Sequence, residues 1–164
     1  MSKEEIKMEE MQEEELEQVS SMLFCSKLGS RYYPTEKTLE KKLGEGLKEG
    51  DHILAIRSGS ELIGLLWFQM QGAFYMFPYL HMIFIKEQFQ GKGLGGQILR
   101  YFEDYVLNGE QKKLKSKIFL LVGDWNKGAM KFYEKMGYVM IGTIPELFRK
   151  KTDEHLLMKE CKRA

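Results

Sequence analysis

Neither sign of charge dominates this sequence: 25 Lys and Arg against 24 Asp and Glu leave a formal net charge of +1 over 164 residues. Duplex nucleic acid is usually met by a concentrated basic surface, so the balance argues against nucleic acid as the main partner. Cysteine is scarce. Cys25 and Cys161 lie near opposite ends with no metal-ligand spacing, which predicts reduced thiols in a cytoplasm and no metal site. No uninterrupted apolar segment is long enough to span a bilayer, so no membrane partner is expected. The stretch from Met1 to Gln18 is strongly acidic and has no apolar h-region, which speaks against a secretory signal. Repeats, low-complexity tracts and flexible linkers are missing too, so residues 1–164 are expected to form a single domain. With 43% hydrophobic content, that domain can bury a real core.

Helical and strand periodicities alternate along the chain. Leu16, Val19, Met22 and Leu23 repeat at helical spacing, and a second helix is expected from Thr35, with Leu39, Leu43 and Leu47 as its seam and Gly50 as its stop. The period then becomes that of strands. His52 to Ile56 and Leu62 to Met70, joined by Ser58-Gly59-Ser60, read as a hairpin, and a third strand is expected from Phe74 to Ile85, interrupted by Pro78. Leu94, Ile98, Phe102 and Tyr105 mark one face of a helix ending near Asn108-Gly109. Ile118 to Val122 reads as a buried parallel strand beside the one that ends at Ile85. A helix from Asn126 to Met136 stopped by Gly137, a strand from Tyr138 to Ile144 and a short strand from Leu156 to Met158 complete the chain.

The glycine-dense stretch Gln90-Gly91-Lys92-Gly93-Leu94-Gly95-Gly96 joins a strand to a helix, where freed backbone amides make a site for a phosphorylated ligand. A P-loop needs Ser or Thr after Gly-Lys to reach magnesium, and here Gly93 follows Lys92. Gly91, Gly93 and Gly96 do satisfy the dinucleotide fingerprint, with Asp124 as a ribose-binding acid. Against a dinucleotide-binding protein, the glycines begin several residues after the strand, and too little chain follows to complete a doubly wound sheet.

A third design accounts for the second half of the chain. Gln90 to Gly95 resembles the (Gln or Arg)-x-x-Gly-x-(Gly or Ala) signature of the GNAT superfamily of acyl-CoA-dependent N-acetyltransferases. The block Asn126-Lys127-Gly128-Ala129-Met130-Lys131-Phe132-Tyr133-Glu134-Lys135-Met136-Gly137-Tyr138 resembles that superfamily's second cofactor segment. The resemblance covers roughly Tyr79 to Met158 and implies a mixed α/β fold: a central, mostly antiparallel sheet with one splayed parallel strand pair and flanking helices. It further implies acetyl-CoA as co-substrate, with Gly91, Lys92, Gly93, Leu94, Gly95 and Gly96 at the pyrophosphate and Gln90 bracing the turn. Ile83, Phe84 and Ile85 would pair with the pantetheine arm through backbone groups, and Asn126 would hydrogen-bond it. Homodimers are common in that family.

For the chemistry, the resemblance points to Tyr133 as the group that gives a proton to the departing thiolate. An alkyl ammonium must lose a proton before it attacks, and His81, on the same alternating side of its strand as Tyr79, Ile83 and Ile85, is the candidate base. Many relatives carry a glutamate where this chain has Leu121, which leaves Asp124, Glu87, His52 or ordered water as further routes. The implied reaction is direct attack of a primary amine, small-molecule or peptide, on acetyl-CoA in a ternary complex. No serine or cysteine is placed for a covalent route. A non-catalytic acyl-CoA sensor is the alternative. Lys127, Lys131 and Lys135 read as a solvated basic face or as partners of the cofactor's 3′-phosphate, and the aromatic group Trp67, Phe68, Phe74, Tyr75, Phe77 and Tyr79 as core, acceptor site or dimer surface.

Overall fold

The computed structural model describes residues 5–109 and 112–164; the first four residues of the acidic N-terminal stretch lie outside them. The elements are β1 (Ile6–Glu10), α1 (Leu16–Phe24), α2 (Lys27–Tyr32), α3 (Glu36–Glu49), β2 (His52–Ser58), β3 (Glu61–Ala73), β4 (Phe77–Ile85), α4 (Leu94–Asn108), β5 (Lys115–Gly123), α5 (Lys127–Lys135), β6 (Val139–Arg149) and β7 (Thr152–Lys162). The seven strands form one sheet in the order β1-β2-β3-β4-β5-β7-β6. β4 and β5 pair in parallel, whereas β1 with β2, β2 with β3, β5 with β7 and β6 with β7 pair antiparallel. The expected mixed α/β fold is therefore present, and the doubly wound parallel sheet of a dinucleotide-binding protein is not.

By contacts the chain divides into two compact units, Met1–Phe68 with Met82–Ile98 and Gln69–His81 with Leu99–Ala164. In the first, α3 forms where the four-residue leucine spacing predicts it. Thr35 Oγ1 accepts the Thr38 amide at its start and Gly50, at φ 87°, ends it in the left-handed region. Its Leu39 and Leu43 pack with Val19 and Leu23 of α1 and with Ile53, Leu65 and Trp67 of the hairpin. Each fully buried side chain of this kind stabilises the unit by roughly 1.5–3 kcal/mol. Trp67 keeps its one polar atom satisfied by donating from Nε1 to Asp51 Oδ2 at 2.9 Å. Arg57 of β2 forms an ion pair with Glu15.

The N-terminal segment departs from expectation, because the first element is a strand. Ile6 and Met8 alternate with charged neighbours, and β1 adds to the sheet edge from Ile6↔Ser58 to Glu10↔Leu54. Backbone pairing there outweighs the acidic composition that hid the strand. The short α2, capped by Ser26 Oγ on the Gly29 amide, was likewise unannounced.

In the second unit, Ile118, Phe119, Leu120 and Val122 of β5 are buried, as are Leu99, Phe102, Val106 and Leu107 of α4 and Leu157 of β7. Tyr105, placed on the apolar face by its spacing, is only half-buried, and Val106 fills that place. The expected third strand starts late, at Phe77. Phe74 and Tyr75 both stand at φ 56° and the Met76 amide bonds to Ala73 O at 3.1 Å, a primed hairpin turn built from aromatic residues in place of Asn-Gly. β6 runs on to Arg149, and β7 covers Thr152–Lys162 and not Leu156 to Met158 alone: polar and charged residues flank the apolar run, and antiparallel pairing with β5 carries the strand through them.

Candidate functional site

The first unit carries the end of β4 and the glycine loop. Buried and half-buried residues alternate along β4 as far as Met82, and the alternation breaks at Ile83 and Phe84, both half-buried, before Ile85 is buried again. Gly64 of β3 lies against this end so closely that a Cβ there would stand 2.3 Å from the Phe84 carbonyl oxygen, and the Lys86 amide donates to Ile63 O at 2.8 Å. Gln90 Nε2 donates to Ile85 O at 2.9 Å and so ties the loop to the strand end. Gly91 and Gly93 both stand at φ 78°, where an L side chain is strained, and the space a Cβ would take is open at each. The first intrahelical bond of α4 runs from the Gln97 amide to Gly93 O, so the amides of Leu94, Gly95 and Gly96 precede the helix ladder. A run of amides without partners in the helix ladder, with the positive end of the dipole behind it, fits a pyrophosphate. Lys92 is exposed, with Nζ 5.4 Å from the centre of the Phe89 ring.

The second unit carries the titratable groups. Parallel pairing of Tyr79 with Phe119 sets both side chains on one face of the sheet, and His81, two residues on, points to the same face. The Tyr79 and His81 rings meet edge to face with centroids 6.0 Å apart. Tyr133 is buried in α5. Burial pushes its phenol well above the ordinary tyrosine value and nearby Tyr79 adds to the rise, so the hydroxyl keeps its proton at neutral pH.

Two devices hold Tyr133 in place. Asn126 caps α5 through Oδ1, which accepts the Ala129 amide at 3.2 Å, so the cap uses the side-chain oxygen and not the amide donors. At the other end Gly137, at φ 94°, closes the helix. Its amide bonds to Glu134 O and that of Tyr138 to Tyr133 O at 2.9 Å, with the Tyr133 and Tyr138 rings in edge contact at 5.6 Å. Behind Tyr138, Glu103 of α4 takes Lys159 Nζ at 2.8 and 3.0 Å and the Tyr138 hydroxyl at 3.5 Å.

The remaining sequence candidates fall elsewhere. Asp124 Oδ2 accepts the Asp153 amide at 3.2 Å, and the Asp124 amide bonds to Asp153 O at 2.9 Å, a clamp on the start of β7. His52 stacks on Phe68 in the first unit, with centroids 4.8 Å apart. Lys127, Lys131 and Lys135 are all exposed. Trp67 and Phe68 belong to a core, Phe74 and Phe77 meet Phe119, and Tyr75 is exposed. Cys25 and Cys161 are free thiols. Among the described residues no cluster of His, Cys, Asp and Glu is arranged to hold a metal, and no helix is long and apolar enough to cross a membrane. Sequence reasoning passed over Glu154, which is 2% exposed on β7 opposite Gly123; its signal was only a carboxylate in a strand recognised too short.

A mostly antiparallel sheet with one parallel pair, and a glycine loop between the parallel strands that opens a helix, define the class. The chain belongs to the acetyltransferase (GNAT) family, whose model matches residues 9–138. It is similar to the N-alpha-acetyltransferase RimI of Mycobacterium tuberculosis, 27% identical over 100 residues that make up 60% of this chain and 59% of that relative. Among solved structures it matches an acetyltransferase from Thermus thermophilus with a TM-score of 0.75 at 15% identity, over 98% of this chain and 100% of the other. It also matches the spermidine N-acetyltransferase from Vibrio cholerae in complex with CoA and spermine, with a TM-score of 0.70 at 18% identity, over 94% and 95% of the two chains. At these identities the structural likeness is one of fold.

Proposed function

We propose that this protein transfers the acetyl group of acetyl-CoA to a primary amine by direct attack in a ternary complex. The observation that carries the reading is Tyr133: a buried phenol that keeps its proton, fixed at both ends of α5 on the family's second cofactor segment. In this reading the amides of Gly91 to Gly96 take the pyrophosphate, Lys92 meets the phosphate charge, Ile83 to Ile85 lend backbone groups to the pantetheine arm and Asn126 donates to it. His81 receives the proton of the acceptor ammonium. The nitrogen lone pair then attacks the thioester carbon, the C–S bond breaks, and Tyr133 gives its proton to the leaving sulfur.

RimI is named an N-alpha-acetyltransferase and the Vibrio enzyme a spermidine N-acetyltransferase. Those names support an amine here without choosing one. The family match runs through both compact units, which supports one catalytic domain over residues 1–164. Two free thiols suit a cytoplasmic setting. All eleven residues of β6 are exposed, with Val139, Met140 and Ile141 at 61, 48 and 49%. An edge strand apolar on both faces supports pairing with a second copy, expected in light scattering as twice the single-chain mass of 19.2 kDa.

The test is thiol release from acetyl-CoA across a panel of amines and peptides, beside direct CoA binding. Amine-dependent release, lowered at least tenfold by Tyr133→Phe with acetyl-CoA still bound, is the expected result. Tight CoA binding with no release for any acceptor would replace the enzyme by the acyl-CoA sensor, a reading favoured by the apolar Leu121. A nicotinamide cofactor bound in place of CoA would overturn both.

A further inference from the structure

A lone histidine is a sparse proton-accepting apparatus for a reaction that begins with an ammonium, and the face that carries His81 also holds a buried acid. β5 pairs antiparallel with β7 through Phe119↔Met158, Leu121↔Leu156 and Gly123↔Glu154. Paired residues share a face, so Glu154 stands on the face of Tyr79 and His81, which Tyr79 shares with Phe119. On β5 the residue level with Glu154 is Gly123, which has no side chain to fill the gap, and the residue level with His81 is Leu121. On the far flank Glu154 is level with Ile144 of β6. His81 lies one residue beyond the Leu80↔Leu120 pair, so strand spacing and rise place the two Cα atoms about 12 Å apart, a span that an imidazole and a glutamate side chain together close to hydrogen-bond or one-water range.

Burial makes Glu154 unusual among the carboxylates of this face. It is 2% exposed, while Tyr79, His81, Leu121 and Leu156 around it are half-buried. A carboxylate withdrawn from water that far is stabilised by charge and hydrogen-bond partners, and an imidazolium or substrate ammonium is such a partner. Its backbone is rigidly held. The Asp124–Asp153 clamp fixes the residue before it, and His155 Nδ1 bonds to Thr143 Oγ1 at 2.9 Å on the residue after it. That clamp also gives Asp124 a structural task.

We propose that Glu154 is the positioning carboxylate of the catalytic base, acting with His81 as one unit across β5. Glu154 orients the imidazole and stabilises its cation. One ammonium N–H bond breaks, its electron pair stays on nitrogen, and the proton passes to His81 and then to solvent. After the C–N bond forms, the nitrogen loses a second proton to solvent as the C–S bond breaks, balancing the one Tyr133 gives to sulfur and regains. The inference rests on the acetyltransferase reading above.

A double-mutant cycle tests it. Near neutral pH, Glu154→Gln and His81→Asn are each expected to lower kcat/KM for the amine about 100-fold, with acetyl-CoA affinity unchanged. The double variant falls no further than the worse single, because two residues acting as one unit are not additive. Raising the pH toward the amine's own pKa restores much of the loss in either variant, since free amine needs no base. A merely structural glutamate gives losses that multiply and no such recovery; that pattern, or wild-type kcat/KM in E154Q, overturns the proposal. Where E154Q does not fold, Glu154→Asp is read instead: a loss of about tenfold at unchanged melting temperature supports it, and wild-type kcat/KM refutes it. A wild-type protein that binds CoA but releases no thiol with any amine sinks the acetyltransferase reading as well, whereas an active wild type with indifferent Glu154 variants sinks this inference alone.

Discussion

Gly64→Ala probes the join between β3 and the end of β4. The new Cβ would meet the Phe84 carbonyl oxygen at 2.3 Å and Ile85 Cα at 3.4 Å. A carbon and a carbonyl oxygen tolerate an approach of about 3.3 Å, so the strands must part by about 1 Å. That displacement stretches the 2.8 Å bond from the Lys86 amide to Ile63 O beyond hydrogen-bond range, a loss of about 1 kcal/mol. Overpacking adds about 1–3 kcal/mol. A total of about 2–4 kcal/mol corresponds to a melting temperature lower by about 8 °C in a chain of this size. Gly44→Ala is the matched control: its Cβ would meet only Leu16 Cδ1, at an ordinary 3.6 Å, inside α3, so it should stabilise by about 0.5–1 kcal/mol. Thermal unfolding by circular dichroism reads both. Because the same strand end offers Ile83 to Ile85 to the pantetheine arm in the proposed complex, G64A should also weaken CoA binding where G44A does not. A G64A protein melting within about 1 °C of wild type would refute the close approach on which the reasoning rests.

Asn126 separates capping from ligand binding. Asn126→Ala loses the cap on Ala129 and about 1 kcal/mol of stability, whereas Asn126→Asp keeps an acceptor for that amide but no donor; both should weaken CoA binding in calorimetry, and only the alanine variant should melt lower. The two thiols should differ sharply toward a thiol reagent, because Cys25 is exposed while burial and the adjacent Glu103 carboxylate push the Cys161 thiol up to about 12, partly offset by Lys159. One equivalent should react in the native protein and the second only on unfolding; two fast equivalents would contradict the structure. Glu103→Gln should cost about 2 kcal/mol in chemical denaturation, less than a fully buried ion pair, since the Glu103 and Lys159 side chains are 12 and 25% exposed.

The fold was most legible where one period ran without interruption. The leucines of α3 and the apolar run of β5 named their own elements, because burial of a single face or of both faces leaves a distinct spacing. It was least legible where backbone pairing decided against side-chain character. β1 sits among acidic residues and is a strand because the edge of β2 offers it hydrogen bonds from Ser58 to Leu54, partners more than forty residues away. The turn at Phe74 and Tyr75 carries neither glycine nor asparagine. Its positive φ values follow from the pairing of β3 with β4 and from the Phe74 ring set edge-on to Phe119, 5.3 Å between centroids.

The site divides in the same way. The glycine loop and the Asn126 to Tyr138 block are local, and each residue's conformation is demanded by its immediate neighbours: Gly91 and Gly93 by φ, Asn126 by a helix start, Gly137 by a helix end. Short-range demands of that kind leave motifs. The proposed proton-accepting side leaves none, because what brings a carboxylate onto the face of His81 is register. Shifting β7 by one residue against β5 would turn Glu154 to the opposite face and present His155 or Asp153 in its place. Leu121 made the usual position look empty, and the structure places a buried carboxylate two residues further along the sheet on the neighbouring strand, over the one residue of β5 that has no side chain to block it. On the proposal above, chemistry that depends on a side chain's reach moves between strands while the face it serves stays the same, and only the pairing reveals where it has gone.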